Sequence, residues 1–105
     1  MTDELLIDLR GRHLGTLDAF WDAVREPCAL PAWFGRNLDA WWDVIESRGI
    51  SAVIDAHEVL VVQADTAGLF APDNPEGKRL AGLFAEATRA RLELARAHSR
   101  PPSGH

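Results

Sequence analysis

The chain has 105 residues, 47% hydrophobic and 26% charged, with a formal net charge of −5. That is the length of one domain, sufficient to bury a core without disulfide or metal support, and the single cysteine, Cys28, excludes an internal disulfide. No apolar run approaches the ~20 residues of a membrane span, and the acidic start Met1-Thr2-Asp3-Glu4 argues against a secretory leader, so a cytoplasmic protein is expected.

The charge is unevenly spread. Five acids (Asp39, Asp43, Glu46, Asp55, Glu58) accompany one base, Arg48, between residues 39 and 58, whereas four arginines outnumber two glutamates between residues 86 and 105. An acidic centre argues against nucleic acid as partner, because phosphate binding needs Lys or Arg. It suits a basic protein or a metal, and it equally suits a well-solvated surface.

Taken in order, Leu5-Leu6-Ile7 with Asp8-Leu9 reads as a short strand buried on both faces and closed by Arg10-Gly11. His13 falls in the connection that follows and reads as a solvated loop residue. Thr16 is an N-cap, Asp18 suits the helix dipole, and Leu17, Phe20, Trp21 and Val24 form one apolar helical stripe that Pro27 ends. Pro31 and Gly35 bracket an irregular segment expected to present Trp33 and Phe34. Asn37 caps a second helix, and Gly49 stops it.

On that second helix Leu38, Trp41 and Ile45 share the inward phase. Asp39, Trp42, Asp43 and Glu46 share a neighbouring one. Residues 50–57 carry no decisive pattern; Ala52-Val53-Ile54 either extends the helix or forms an edge piece. Val59-Leu60-Val61-Val62 is β-branched and continuous, a second buried strand. Residues 66–70 fit one helical turn, and Asn74-Pro75-Glu76 is a cap, an N1 proline and a first-turn acid. The helix it opens turns Leu80, Leu83, Phe84 and Ala87 inward and Glu86 away. Leu92-Glu93-Leu94-Ala95 alternates as a last edge strand would, although its helix propensity also lets the preceding helix continue. Residues 99–105 read as a disordered tail after a domain of residues 1–98. The order of elements predicts an α/β fold, a small parallel sheet covered by helices.

Three uses of the second helix compete. Asp39, Asp43 and Glu46 form a carboxylate row, but catalysis needs carboxylates in unlike environments and a hard cation needs six or more oxygens. The histidines stand in no metal-ligand or triad order. No catalytic residue, metal or cofactor is therefore expected. Plain packing and solvation explains Asp39 and Trp41 but fits Trp42 less well, since it lies ~100° from Trp41, toward the acids. The third use is protein recognition: acids ringed by Trp33 and Trp42 can enter a cationic cleft that normally holds a phosphate, mimicking substrate.

The run Leu30-Pro31, Trp33-Phe34, Gly35, Asn37-Leu38-Asp39-Ala40 and Trp42-Asp43 resembles the central segment of the barstar family, intracellular inhibitors of secreted ribonucleases of the barnase type. The resemblance implies a barstar-like fold, three parallel strands with three or four helices, and an inhibitor rather than an enzyme. It implies that Asp43 occupies the nuclease's phosphate site and Asp39 pairs at the rim. Trp42 would lie beside them, Gly35 and Asn37 would supply loop contacts, and Trp33 would stack where the family often has tyrosine. Through Phe84 and Ala87, Glu86 matches a further acid on the last helix. Arg36 stands where an acid is common, which subtracts from the steering potential. The connection after Asp43 is several residues longer than the family's, so no contact is carried onto residues 47–57. The implied partner is a basic secreted ribonuclease, with no nucleic acid and no membrane. The other reading is a barstar-like module that binds a non-nuclease protein.

Overall fold

The computed structural model describes residues 3–95. The elements are β1 (Glu4–Asp8), α1 (Leu17–Arg25), α2 (Leu38–Trp42), α3 (Ala52–Asp55), β2 (Val59–Asp65), α4 (Pro75–Glu86) and β3 (Ala90–Ala95). A π-helical turn, Asp43–Ser47, follows α2 directly, and a 3-10 turn, Gly68–Phe70, precedes α4. The expected tail lies outside the described residues.

The three strands form one parallel sheet in the order β1-β2-β3, with Leu5 opposite Leu60 and Leu60 opposite Ala90. Parallel neighbours require crossover connections, and here α1 to α3 fill the first crossover and α4 the second. The fold class expected from the order of elements is the one observed. Leu60, Val62, Ala64 and Ile7 join the core beneath the helices, whereas Leu6, on the opposite face, is 56% exposed. The reading of the first strand as buried on both faces therefore fails: β1 is an edge strand, and Leu6 points to the open side. Val61 is nonetheless buried on that side, where its register neighbours are Leu6 and Arg91, whose long stem can shield apolar surface while its charge stays in water.

Side-chain oxygens cap the helices as the sequence predicts. Thr16 accepts from the Ala19 N–H, Asn37 from Ala40 and Asn74 from Glu76. The core is aromatic at its centre: the Phe20 ring meets Trp21 at 5.3 Å, Trp41 at 5.5 Å and Phe70 at 6.2 Å, all near edge-to-face. Trp41 also meets Phe84 at 6.2 Å, which holds α2 against α4. Gly77 allows α4 to cross the 3-10 turn closely, because a Cβ there would lie 1.7 Å from the Leu69 carbonyl oxygen.

The ambiguous segment is neither a continuation of the second helix nor an edge piece. It is the separate short helix α3, capped by Ser51, whose buried hydroxyl accepts from the Ile54 N–H at 3.1 Å and donates to the Cys28 carbonyl. Burial pushes the Cys28 thiol up to about 12, so the one cysteine stays protonated and inert. The alternating segment near the end is the edge strand β3. No helix among the described residues is long and apolar enough to cross a membrane.

Candidate protein-binding surface

The loop before α2 and α2 itself form one continuous surface, built by local bonds. Asn37 does two things: its Oδ1 accepts from Ala40 N–H at 2.7 Å, and its Nδ2 donates to the Gly35 carbonyl at 3.1 Å. That second bond brings the loop so close that a Cβ on Gly35 would sit 3.1 Å from Asn37 Nδ2 and 3.3 Å from Ala40 Cβ. Arg36 adopts φ +53 and reaches back to α1, where its guanidinium meets Asp18 at 2.7 Å and Asp22 at 3.1 Å. Those acids hold its pKa above the ordinary arginine value. Its charge therefore ties the loop down as well as subtracting from the local field.

Within this frame Trp33 stands out at 70% exposed, an unusual position for so large an aromatic. Phe34, expected beside it at the surface, is buried instead. The Phe34 N–H closes a turn onto the Pro31 carbonyl, and the ring packs edge-on against Trp21 at 5.7 Å. Pro31, with Ala32, Phe34 and Arg36, instead helps line a small cavity of about 90 Å³ beside Trp21.

On α2, Trp41 is fully buried and Asp39 exposed, while Trp42 is half-buried. The Asp43 N–H donates to the Asp39 and Ala40 carbonyls, so Asp39 and Asp43 occupy successive turns on one side, as the spacing predicts. Both are exposed, and among the described residues neither is in an ion pair and the Asp43 carboxylate accepts only a long 3.5 Å bond from Ser47.

Beyond Asp43 the helical phase changes. The Arg48 N–H bonds to the Asp43 carbonyl at 2.6 Å, five residues back, and the wider turn buries Val44 together with Ile45. Glu46 consequently leaves the expected row. Its Oε1 accepts from the Thr88 and Arg89 N–H groups, both at 2.9 Å, and its Oε2 from the Thr88 hydroxyl. Burial raises the Glu46 pKa, but the Thr88 hydroxyl and the Arg89 and Thr88 N–H groups together outweigh it and leave the value below that of an ordinary glutamate. The chain then turns at the C-cap Arg48, φ +74, and at the expected stop, Gly49, φ +95.

Glu86 is exposed at the last position of α4. The packing of Phe84 on Trp41 and the bonds that the Thr88 and Arg89 N–H groups donate to Glu46 bring this end of α4 beside α2 and its π turn. Trp33, Gly35, Asn37, Asp39, Trp42 and Asp43 thus lie along the loop and helix, with Glu86 on the neighbouring helix. No group of three or more His, Cys, Asp or Glu among the described residues is placed to hold a metal.

The fold and this surface define a class: a one-sided α/β protein with exposed acids and a bare tryptophan along one helix and the loop before it. The model of the family described as Barstar (barnase inhibitor) matches residues 5–99, and the chain belongs to that family. No curated protein matches the chain.

Proposed function

We propose that this protein is a non-enzymatic inhibitor of a basic, secreted ribonuclease of the barnase type, acting in the cytoplasm of the cell that makes the nuclease. The family description supports an inhibitory role, and the surface supplies a physical means. Asp43 enters the cationic cleft that otherwise holds a substrate phosphate and accepts charge-assisted hydrogen bonds from Arg or Lys. Asp39 pairs at the rim, where a charge contributes chiefly to the encounter rate. Trp33 and Trp42 cover apolar surface around the acids, and the backbone between Gly35 and Asn37 seats against the nuclease. Glu86 adds a further acid from α4. No covalent step is involved; the cleft is blocked, and the net charge of −5 favours approach to a basic enzyme.

One observation carries the reading: Asp39 and Asp43 project from successive helical turns, and among the described residues neither is paired with a cation. The test is titration of a guanyl-preferring ribonuclease of the barnase type, with RNA cleavage as readout. Stoichiometric loss of cleavage is expected. Unimpaired cleavage at excess protein, together with recovery from native lysate of a partner that is not a nuclease, would replace the reading with the module alternative.

A further inference from the structure

Arg48 has no role in the surface just described, yet it is the most heavily engaged side chain among the described residues. A guanidinium carries five N–H donors, and here all five go to backbone carbonyls. Nε donates to Ile45 at 2.9 Å, Nη1 to Ile54 and His57 at 2.8 Å each, and Nη2 to Glu58 at 3.1 Å and Arg89 at 3.2 Å. Those carbonyls belong to the π turn, the end and exit of α3, the residue before β2 and the residue before β3. The Arg48 backbone, at φ +74, is in a conformation that side chains rarely adopt, and such strain persists only where the surroundings over-determine it.

Glu46 works on the same target from the other side. The Arg89 N–H donates to Glu46, and the Arg89 carbonyl accepts from Arg48. The residue that follows α4 at a distance of three from Glu86 is therefore gripped at both of its polar backbone groups. The Leu60 N–H of β2 also donates to the Arg89 carbonyl, at 3.0 Å, so the sheet shares in the grip, and its side-chain part comes from two residues of the segment that begins at Asp43.

We propose that Glu46 and Arg48 are positioning residues of the binding surface: by clamping the Arg89 backbone they fix the end of α4, and with it Glu86, relative to Asp43. The inference rests on the inhibitor reading above. It gives the Glu46 carboxylate a structural role in place of a contact with the partner, and it makes the contribution of Glu86 conditional on Glu46.

The experiment uses the full chain and a barnase-type ribonuclease, with Glu46→Ala, Glu46→Gln, Glu86→Ala and the double variant Glu46→Ala/Glu86→Ala. Glu46→Ala should weaken inhibition about tenfold, a typical coupling between residues that share a network. Because Glu46 acts through Glu86, most of that loss should vanish when Glu86 is already alanine. Glu46→Gln should recover most of the loss, since its amide oxygen still accepts from the Thr88 and Arg89 N–H groups. Equal losses in Gln and Ala would show that the charge itself meets the partner and would overturn the clamp, as would additive losses in the double variant. Amide hydrogen exchange of the free protein gives a second readout that needs no nuclease. Glu46→Ala should speed exchange at Thr88 and Arg89 and also at Arg48, whose N–H closes the π turn on Asp43. Unchanged exchange at Arg48 would overturn the proposal even if the parent inhibits. If the parent inhibits no ribonuclease but the exchange changes appear, the inhibitor reading fails and the clamp stands.

Discussion

On the open face of the sheet Arg91 bridges Glu4 at 3.0 Å and Glu93 at 2.9 Å, Gln63 donates to Glu93, and Asp8 holds Arg10. On the α2 surface Asp39 and Asp43 hold no cation among the described residues, and Trp33 is bare. Both regions face water and both carry acids. The first is self-contained: each of those charges has its complement within the chain, and a partner would gain little by displacing it. The second leaves charge and aromatic area uncommitted, which costs the free protein little while they are hydrated and would supply binding energy in the proposed complex with a cationic cleft. The same contrast runs within one helix and its continuation. Asp43 faces outward with no ion pair among the described residues, and three residues on, Glu46 is consumed by the backbone of Thr88 and Arg89.

The contrast can be broken or sharpened by substitution. The largest effect is expected from Asp43→Ala, which should cost about 2–5 kcal/mol of affinity for the nuclease, the range for one partner of a buried interfacial charge pair, for which the barnase–barstar complex is itself a reference system. Its thermal midpoint should stay close to the parent's, since among the described residues the Asp43 carboxylate makes only the 3.5 Å bond to Ser47. An undiminished inhibition constant would remove Asp43 from the site. Trp33→Ala should come next, at about 2 kcal/mol of binding for a truncated aromatic anchor. Its stability should be unaffected because the ring is 70% exposed; a large fall in midpoint would mean that the ring supports the loop instead. Asp39→Ala should cost less and chiefly slow association, with the deficit growing as salt is lowered. An association deficit indifferent to salt would contradict the rim assignment in stopped-flow measurements.

The smallest effect belongs to the open face. The Arg10 side chain and N–H beside Asp8 lower its carboxyl from the ordinary 3.8 to about 2. A depressed folded-state pKa contributes stability that is present above the unfolded value and lost as pH falls through the folded one. Asp8→Asn should therefore leave the midpoint at neutral pH almost unchanged and make its decline slightly shallower between pH 3.8 and about 2, with no change in inhibition. Weaker inhibition by this variant would mean that the open face also binds.

Much of this was legible in the residues. Thr16, Asn37 and Asn74 cap helices by bonds to N–H groups two or three positions away, so their signal is local. The phase from Leu38 to Asp43 follows from ordinary helical geometry, and with the run from Leu30 it carries the family resemblance. The misreadings concern what is not local. Phe34 is buried because Trp21, on α1, offers the loop residue a ring; Leu6 is exposed because the helices cover only one face. Nothing in the sequence marks the π turn, which is a backbone bond from Arg48 to Asp43. Arg48 itself resembles any helix-terminal base until the chain has brought carbonyls from four other segments around it. A lone arginine in an acidic stretch was the one available hint.

The central claim, that uncommitted acids on α2 do the binding and not net charge alone, is tested most directly by two variants of equal charge. Asp43→Asn and Glu93→Gln each remove one negative unit, the first from the α2 surface and the second from a paired network on the open face. Titrated against a barnase-type ribonuclease at physiological salt, Asp43→Asn should inhibit at least about tenfold more weakly than the parent, and Glu93→Gln should match it. Equal weakening by both would contradict the account.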